Sequence, residues 1–358
     1  MPRRRQIDPI LLAATLVAAT VGVVMVASAS APLARDYYHV SGSEFAMRQA
    51  IAVVLGLAGL LAATFAPLER LVTCRVALPV LGANWIAMVV AYLQPPVAGT
   101  HRWLQLPIIS FQPSALAKVT LPLALAAWLA HCRGEDLSER ATWRVALVMT
   151  AITTGLVLFE PDLGSAILLF LGATAVLLLA EIRWRPLVVL GGTAAAIVAV
   201  AIVIAPYRLA RVLSFLGDPS YHVRQSLIAL GSGGLIGRGP GESLQKLFFL
   251  PQPHSDFIFA IVGEELGFLG AMAVLGLLGV VAWRGLVAAA RAHSRATGLL
   301  AAGLATTLAA QTLLNVSVCL NLLPAKGLPL PLISAGGSDV AMTMVTIGLL
   351  LNVGKEGM

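Results

Sequence analysis

The sequence predicts an all-α polytopic membrane protein of about ten transmembrane helices, and three observations carry that reading. Apolar residues make up 58% of the 358-residue chain and charged residues 11%, with a mean hydropathy of +0.89, values foreign to soluble globular domains. The apolar residues gather in runs of about 20, the length a helix needs to cross a bilayer. The basic residues fall between those runs and favour one side of the implied membrane. One transmembrane domain is therefore expected over residues 1–358, with both termini cytoplasmic and a large outer loop, 207–255, between the seventh and eighth helices.

The first run begins after Arg3, Arg4 and Arg5 and ends in "ASASA" (27–31), a pattern shared with secretory signal peptides. It is longer than a signal h-region and nine further runs follow, so it reads as an uncleaved first span. The ten spans fall near 10–30, 46–66, 76–93, 114–131, 145–159, 164–181, 187–206, 257–283, 298–320 and 339–353. With the N-terminus inside, 14 Lys and Arg lie on the inner side and 5 on the outer, with five more in the long loop. The formal charge of +7 is scattered among the spans, which excludes a nucleic-acid surface, because that would need the basic residues on one solvated face. Three cysteines without CxxC spacing imply neither a disulfide framework nor a zinc site.

Within the long loop, "SYHVRQSLIAL" (220–230) reads as a short interfacial helix with Tyr221 and Arg224 near head groups. The following "GSGGLIGRGPGESLQK" holds neither GxxxxGK[ST] nor a complete GxGxxG, so no nucleotide cradle is implied. Its glycines suit either a flexible turn or a bare backbone that a bulky ligand can approach.

The eighth span carries the chemistry that most needs explaining. "FFLPQPHSDFIFAIVGEELGFLG" (248–270) puts Asp256 at its outer end and Glu264 and Glu265 inside it. Carboxyl groups at membrane depth are costly and usually face a cavity or a partner. Asp256 suits two roles, an N-cap or a reactive carboxylate at the lipid–water boundary. For a helix starting there, Glu264 lies about 80° round and about 12 Å deeper, and Glu265 points away. Each also suits a buried packing link.

Four further polar clusters converge on the outer side: "GTHRWLQL" with Arg102 and Trp103, "FQPSALAK" with Lys118, "FEPDLGSA" with Asp162, and "PLISAGGSD" (331–339). Singly, Trp103 suits an interface anchor, Lys118 a snorkelling side chain, "PDLG" a hairpin turn and "GG" close helix packing. Together they suit one site.

At these residues the chain resembles the SEDS (shape, elongation, division and sporulation) family, which includes FtsW, SpoVE and RodA. The resemblance rests on "MVASAS", "HRWLQLPIISFQPSALAK", "EPDLGSA", "SLIALGSGGLIGRG", "FLPQPHSDFIFAIVGEELGFLG" and "KGLPLPLISAGGS", in the family's order along nearly the whole chain. "YRLARVLSFLGDP", "SLQK" and "VGEELG" look more like the FtsW and SpoVE branch than RodA.

The resemblance implies a ten-helix fold and an inverting peptidoglycan glycosyltransferase that polymerises lipid II with undecaprenyl pyrophosphate as leaving group. It implies as partners a class B penicillin-binding protein and other divisome or elongasome membrane proteins. On it, Asp256 is the base, acting directly or through a bound divalent cation, Mg or Mn, with Asp256 as ligand. Arg102, Lys118 and Lys246 are the phosphate-facing cations. Asp162 and Glu264 position acceptor or cations, and Trp103 packs on sugar or lipid.

The chain departs from the family at Ala115, where a Glu three residues before the Lys is usual, at Gln252 for Glu, at Ala335 for Tyr and at Asp339 for Ser. Asp339 is expected to replace the missing acid if its helix end lies near Lys118. A lipid II flippase or ion-coupled transporter, for which Glu264 and Glu265 are the main support, and a non-catalytic division scaffold are the alternative functions.

Overall fold

The computed structural model describes residues 6–36, 39–97, 99–106, 110–135, 138–160, 162–181, 184–204, 215, 217–324 and 327–357. Its helices are α1 (Pro9–Asp36), α2 (Glu44–Phe65), α3 (Leu68–Leu71), α4 (Cys74–Leu93), α5 (Pro113–Gly134), α6 (Glu139–Phe159), α7 (Leu163–Leu179), α8 (Trp184–Ile204), α9 (Tyr221–Ser232), α10 (Ile258–Ala290), α11 (Arg295–Cys319) and α12 (Gly337–Gly357). A two-residue antiparallel hairpin, β1 (Leu104–Gln105) and β2 (Ser110–Phe111), precedes α5.

Among the described residues, eight helices are long and apolar enough to cross a membrane. The shorter apolar helices, Leu163–Leu179 and Trp184–Val200, overlie the sixth and seventh expected spans. The protein is a multi-pass membrane protein, with α5, α11 and α12 as its interior. Each of these three buries more than 70% of its apolar window, whereas α2, α4 and α6 bury less than 30% and turn the remainder outward. Small residues let the interior helices approach closely, as expected where lipid removes the hydrophobic drive between helices. A Cβ on Gly172 of α7 would lie 2.2 Å from the Thr307 hydroxyl of α11, and one on Gly303 would lie 2.5 Å from Val176.

α1 and α10 run antiparallel and are tied at two levels. Asp8 accepts from Arg284 Nε at 2.6 Å, and Ser28 donates to Glu265 at 2.6 Å. The expected eighth span is not one straight helix. α10 breaks at Gly267, whose φ of 71° and ψ of −171° are open only to glycine. The glycine-rich stretch explains the break: Arg238 and Gly239 N–H donate to the Glu264 and Glu265 carbonyls, and Phe268 and Leu269 N–H donate to Gly234 and Leu235. A Cβ on Gly267 would sit 2.3 Å from Gly237 N, and one on Gly237 2.2 Å from Glu265 O. The bare backbone of this loop is therefore approached by the protein's own helix, which displaces both sequence readings of it. "SYHVRQSLIAL" forms α9 as expected.

Candidate active site

One pocket gathers most of the residues singled out in the sequence. Arg102, Trp103, Lys118, Asp162, Asp256 and Asp339 all line it, with Gln112, Ser114, Ala115, Ser255, Gly327 and Ser338 among the other walls. Its empty space, open mouth included, is about 550 Å³. Five chain segments converge there: the turn before β1, the start of α5, the α6–α7 connection, the residues before α10 and the loop leading into α12.

Asp256 is not an N-cap. α10 begins at Ile258 with Phe257 in the cap position and no side-chain cap bond. The Asp256 backbone is fixed instead: Asn315 Nδ2 of α11 donates to its carbonyl at 3.0 Å and to Leu328 O at 2.7 Å. The "PLISAGG" loop is stitched to the same segment by Ser334 Oγ to Ser255 O (2.6 Å) and Ala335 N to His254 O (2.8 Å). The Asp256 carboxylate accepts from Ser255 Oγ at 3.1 Å, and Gly327 lies so close that a Cβ there would be 3.0 Å from Oδ2.

Lys118 is buried rather than snorkelling. Its ammonium pairs with Asp339 and donates to Gln311 Oε1 at 3.0 Å, while Gln311 Nε2 donates to Asp339 Oδ2 at 2.9 Å. Asp339, from the first turn of α12, thus supplies the acid absent at Ala115, as the substitution pattern led us to expect. Gln311 was missed by the sequence reading. The signal for it was the pair Gln311 and Asn315, four residues apart on one face of an apolar helix, where polar side chains need a reason.

Asp162 caps α7, accepting from Ser165 N at 2.9 Å and Ser165 Oγ at 2.8 Å, and it faces Arg102 Nη1 at 3.6 Å. Asp162 therefore both caps α7 and lines the pocket. The Arg102 guanidinium also lies over the Trp103 ring, 5.9 Å from its centroid.

Two expected site residues lie elsewhere. Lys246 is buried against Glu265 at 2.8 Å, Gly241 O at 2.6 Å and Ser28 at 3.0 Å. Glu264 accepts from Ser243 Oγ at 2.5 Å, Leu244 N at 3.1 Å and Gln245 N at 3.3 Å. Neither lines the pocket. The reason is the fold of the long loop, which needs these carboxylates to satisfy N–H groups and an ammonium that it buries against α10. Among the described residues no group of three His, Cys, Asp or Glu side chains is placed to hold a metal ion.

Fold and pocket together define a class: a polytopic membrane protein with a carboxylate-and-cation site at one end of its helix bundle. The family of cell cycle proteins comprising FtsW, RodA and SpoVE matches residues 9–357, and the chain belongs to it. A probable peptidoglycan glycosyltransferase FtsW of Coxiella burnetii is 35% identical over 98% of this chain and 96% of its own length. One of Thioalkalivibrio sulfidiphilus is 39% identical over 94% of this chain and 86% of its own. Among solved structures, a chain of a peptidoglycan synthase complex that coordinates polymerization and crosslinking superposes with a TM-score of 0.77, 28% identity and 97% coverage of both chains. The Thermus thermophilus rod shape determining protein RodA gives 0.73 and 28%, covering 98% of this chain and 97% of its own.

Proposed function

We infer that this protein is a peptidoglycan glycosyltransferase that polymerises lipid II into glycan strands at the outer face of the cytoplasmic membrane, in division or elongation. The observation that carries the reading is the pocket itself, where Asp256 shares one cavity with Arg102 and Lys118. That cavity opens at the end of the bundle away from the Asp8–Arg284 pair, and hence away from the start of α1. Such a placement suits a substrate with its sugars outside the membrane and its prenyl chain within it.

The reaction needs a base and a counter-charge. As the acceptor's GlcNAc 4-hydroxyl oxygen bonds to C1 of the donor's MurNAc, its proton passes to the Asp256 carboxylate. The bond from C1 to the diphosphate oxygen breaks on the opposite side, inverting C1, and the electron pair leaves on undecaprenyl pyrophosphate. Arg102 and Lys118 oppose the charge that develops there. Asp162 and Asp339 aim those two cations, and Trp103 offers an apolar face to sugar or lipid.

The pocket's two cations face three carboxylates, a formal charge of −1. A diphosphate therefore calls for more positive charge, and a divalent cation, Mg or Mn, would supply it, held by Asp256 together with substrate oxygens. A class B penicillin-binding protein is the fitting partner, since the related synthase complex couples polymerization to crosslinking. Glu264 and Glu265, the carboxylates that would favour an ion-coupled carrier, are taken up by the long loop.

The test is polymerisation of purified lipid II by the purified protein, alone and with its partner. Glycan polymer is expected. Movement of labelled lipid II between leaflets without polymer would favour the carrier, and wall synthesis unaffected by Asp256→Ala would favour the scaffold.

A further inference from the structure

Glu160, which follows the last residue of α6, is only 2% exposed, yet among the described residues neither of its carboxyl oxygens has a hydrogen-bond partner. It lies outside the pocket wall, two residues before Asp162, which is part of that wall. Arg102 presents the complementary defect. Its Nη1 faces Asp162 at 3.6 Å, but its Nε is buried and has no acceptor among the described residues. Buried polar groups are almost always paired, and the Arg102 charge acts on Glu160, so an acid lacking a donor and an N–H lacking an acceptor mark an interaction that this arrangement leaves open.

Resting on the reading of the pocket as a diphosphate site, we propose that Glu160 is a positioning residue for Arg102. As a neutral acid it leaves the guanidinium aimed at the pocket. As a carboxylate it takes up Nε, drawing the guanidinium's charge away from the substrate.

The electrostatics agree with that division of states. Burial, chiefly, pushes the Glu160 carboxyl up to about 8, with the Asp162 carboxylate adding to the rise and the Arg102 guanidinium opposing it. Asp162, at the cap of α7, and Arg102, in the turn before β1, are the charged groups that act on it among the described residues. Near neutral pH this favours the neutral acid, which gives way to the carboxylate as the pH passes about 8. The usual family acid beside Lys118 is missing at Ala115, but Glu160 does not replace it, because Asp339 already holds Lys118.

The experiment compares wild type with Glu160→Gln, which fixes the neutral form, in polymerisation of lipid II across pH. Between pH 7 and 9 the wild-type KM for lipid II is expected to rise about fivefold or more with little change in kcat, whereas in Glu160→Gln it changes less than about twofold. Infrared titration of the purified protein gives a second readout that needs no activity: a protonated-carboxyl band that fades near pH 8 and is absent from the variant. Should Glu160→Gln fail to fold, Glu160→Met suits the same dry site and serves in its place. Superimposable KM profiles overturn the proposal, and so does a Glu160 band that is lost near pH 4 to 5. A wild type that makes no polymer removes the reading of the pocket, and the positioning role with it, while the infrared band still reports the state of Glu160.

Discussion

Replacing Asp339 by Ser, the residue the family usually carries there, leaves the Lys118 ammonium buried without its carboxylate. Lys118 and Asp339 are 8% and 6% exposed, so water entering through the pocket takes over only a small part of the pairing. Breaking a buried ion pair by removing one partner costs about 3–5 kcal/mol. Gln311 accepts from the ammonium at 3.0 Å in the wild type as well, so its bond does not offset the loss, and the expected cost stays at roughly 3–5 kcal/mol. Thermal unfolding of the purified variant should begin several degrees lower, and lipid II turnover should fall about 100-fold if Lys118 no longer meets the diphosphate. Adding Ala115→Glu places an acid one helical turn before Lys118 and should recover much of both losses. The reasoning is refuted if Asp339→Ser unfolds and turns over like wild type, or if Ala115→Glu adds nothing to it.

Three further outcomes follow from the geometry. Gly267→Ala puts a Cβ 2.3 Å from Gly237 N at a φ of 71°, a strain of about 1–3 kcal/mol before the clash is counted; hydrogen exchange should show residues 234–239 losing protection, and unchanged exchange would contradict the loop–helix account. Glu265→Gln should destabilise by about 3–5 kcal/mol by removing the counter-charge of the buried Lys246, while Glu265→Met with Lys246→Met should restore stability and leave the KM for lipid II unchanged; a raised KM in that stable double variant would return Lys246 to the substrate site. Gly327→Ala brings a methyl group to 3.0 Å from Asp256 Oδ2, so kcat should drop about tenfold with the unfolding midpoint unmoved; an unaffected kcat would show that this edge of the carboxylate is not used.

The membrane helices were legible because hydropathy is a local property: each of the ten runs overlies a helix, and eight of those helices are long and apolar enough to cross a membrane. The pocket was legible as a set of outward polar clusters, since polar residues in short loops between apolar spans have few other places to go. What could not be read was pairing across long separations. Lys118 meets Asp339 221 residues away, and only the missing acid at Ala115 hinted at it. Glu264 and Glu265 read as cavity groups or as buried packing links, and the sequence could not name their partners because nothing in it shows that a glycine-rich loop folds back onto α10 and consumes them. The Gly267 break had a local cue, the glycine after "EEL", but its cause lies in Gly234 to Gly239. Asp256 read equally well as a cap, and only the start of α10 at Ile258 separates the two roles.

The account turns on Asp256 acting in the chemical step rather than in binding. The decisive measurement is lipid II affinity and polymer formation for Asp256→Asn, side by side with wild type on protein of equal thermal stability. The account expects affinity within a few-fold of wild type and polymer formation reduced by about 100-fold or more. Polymer formed at near wild-type rate by Asp256→Asn would contradict it.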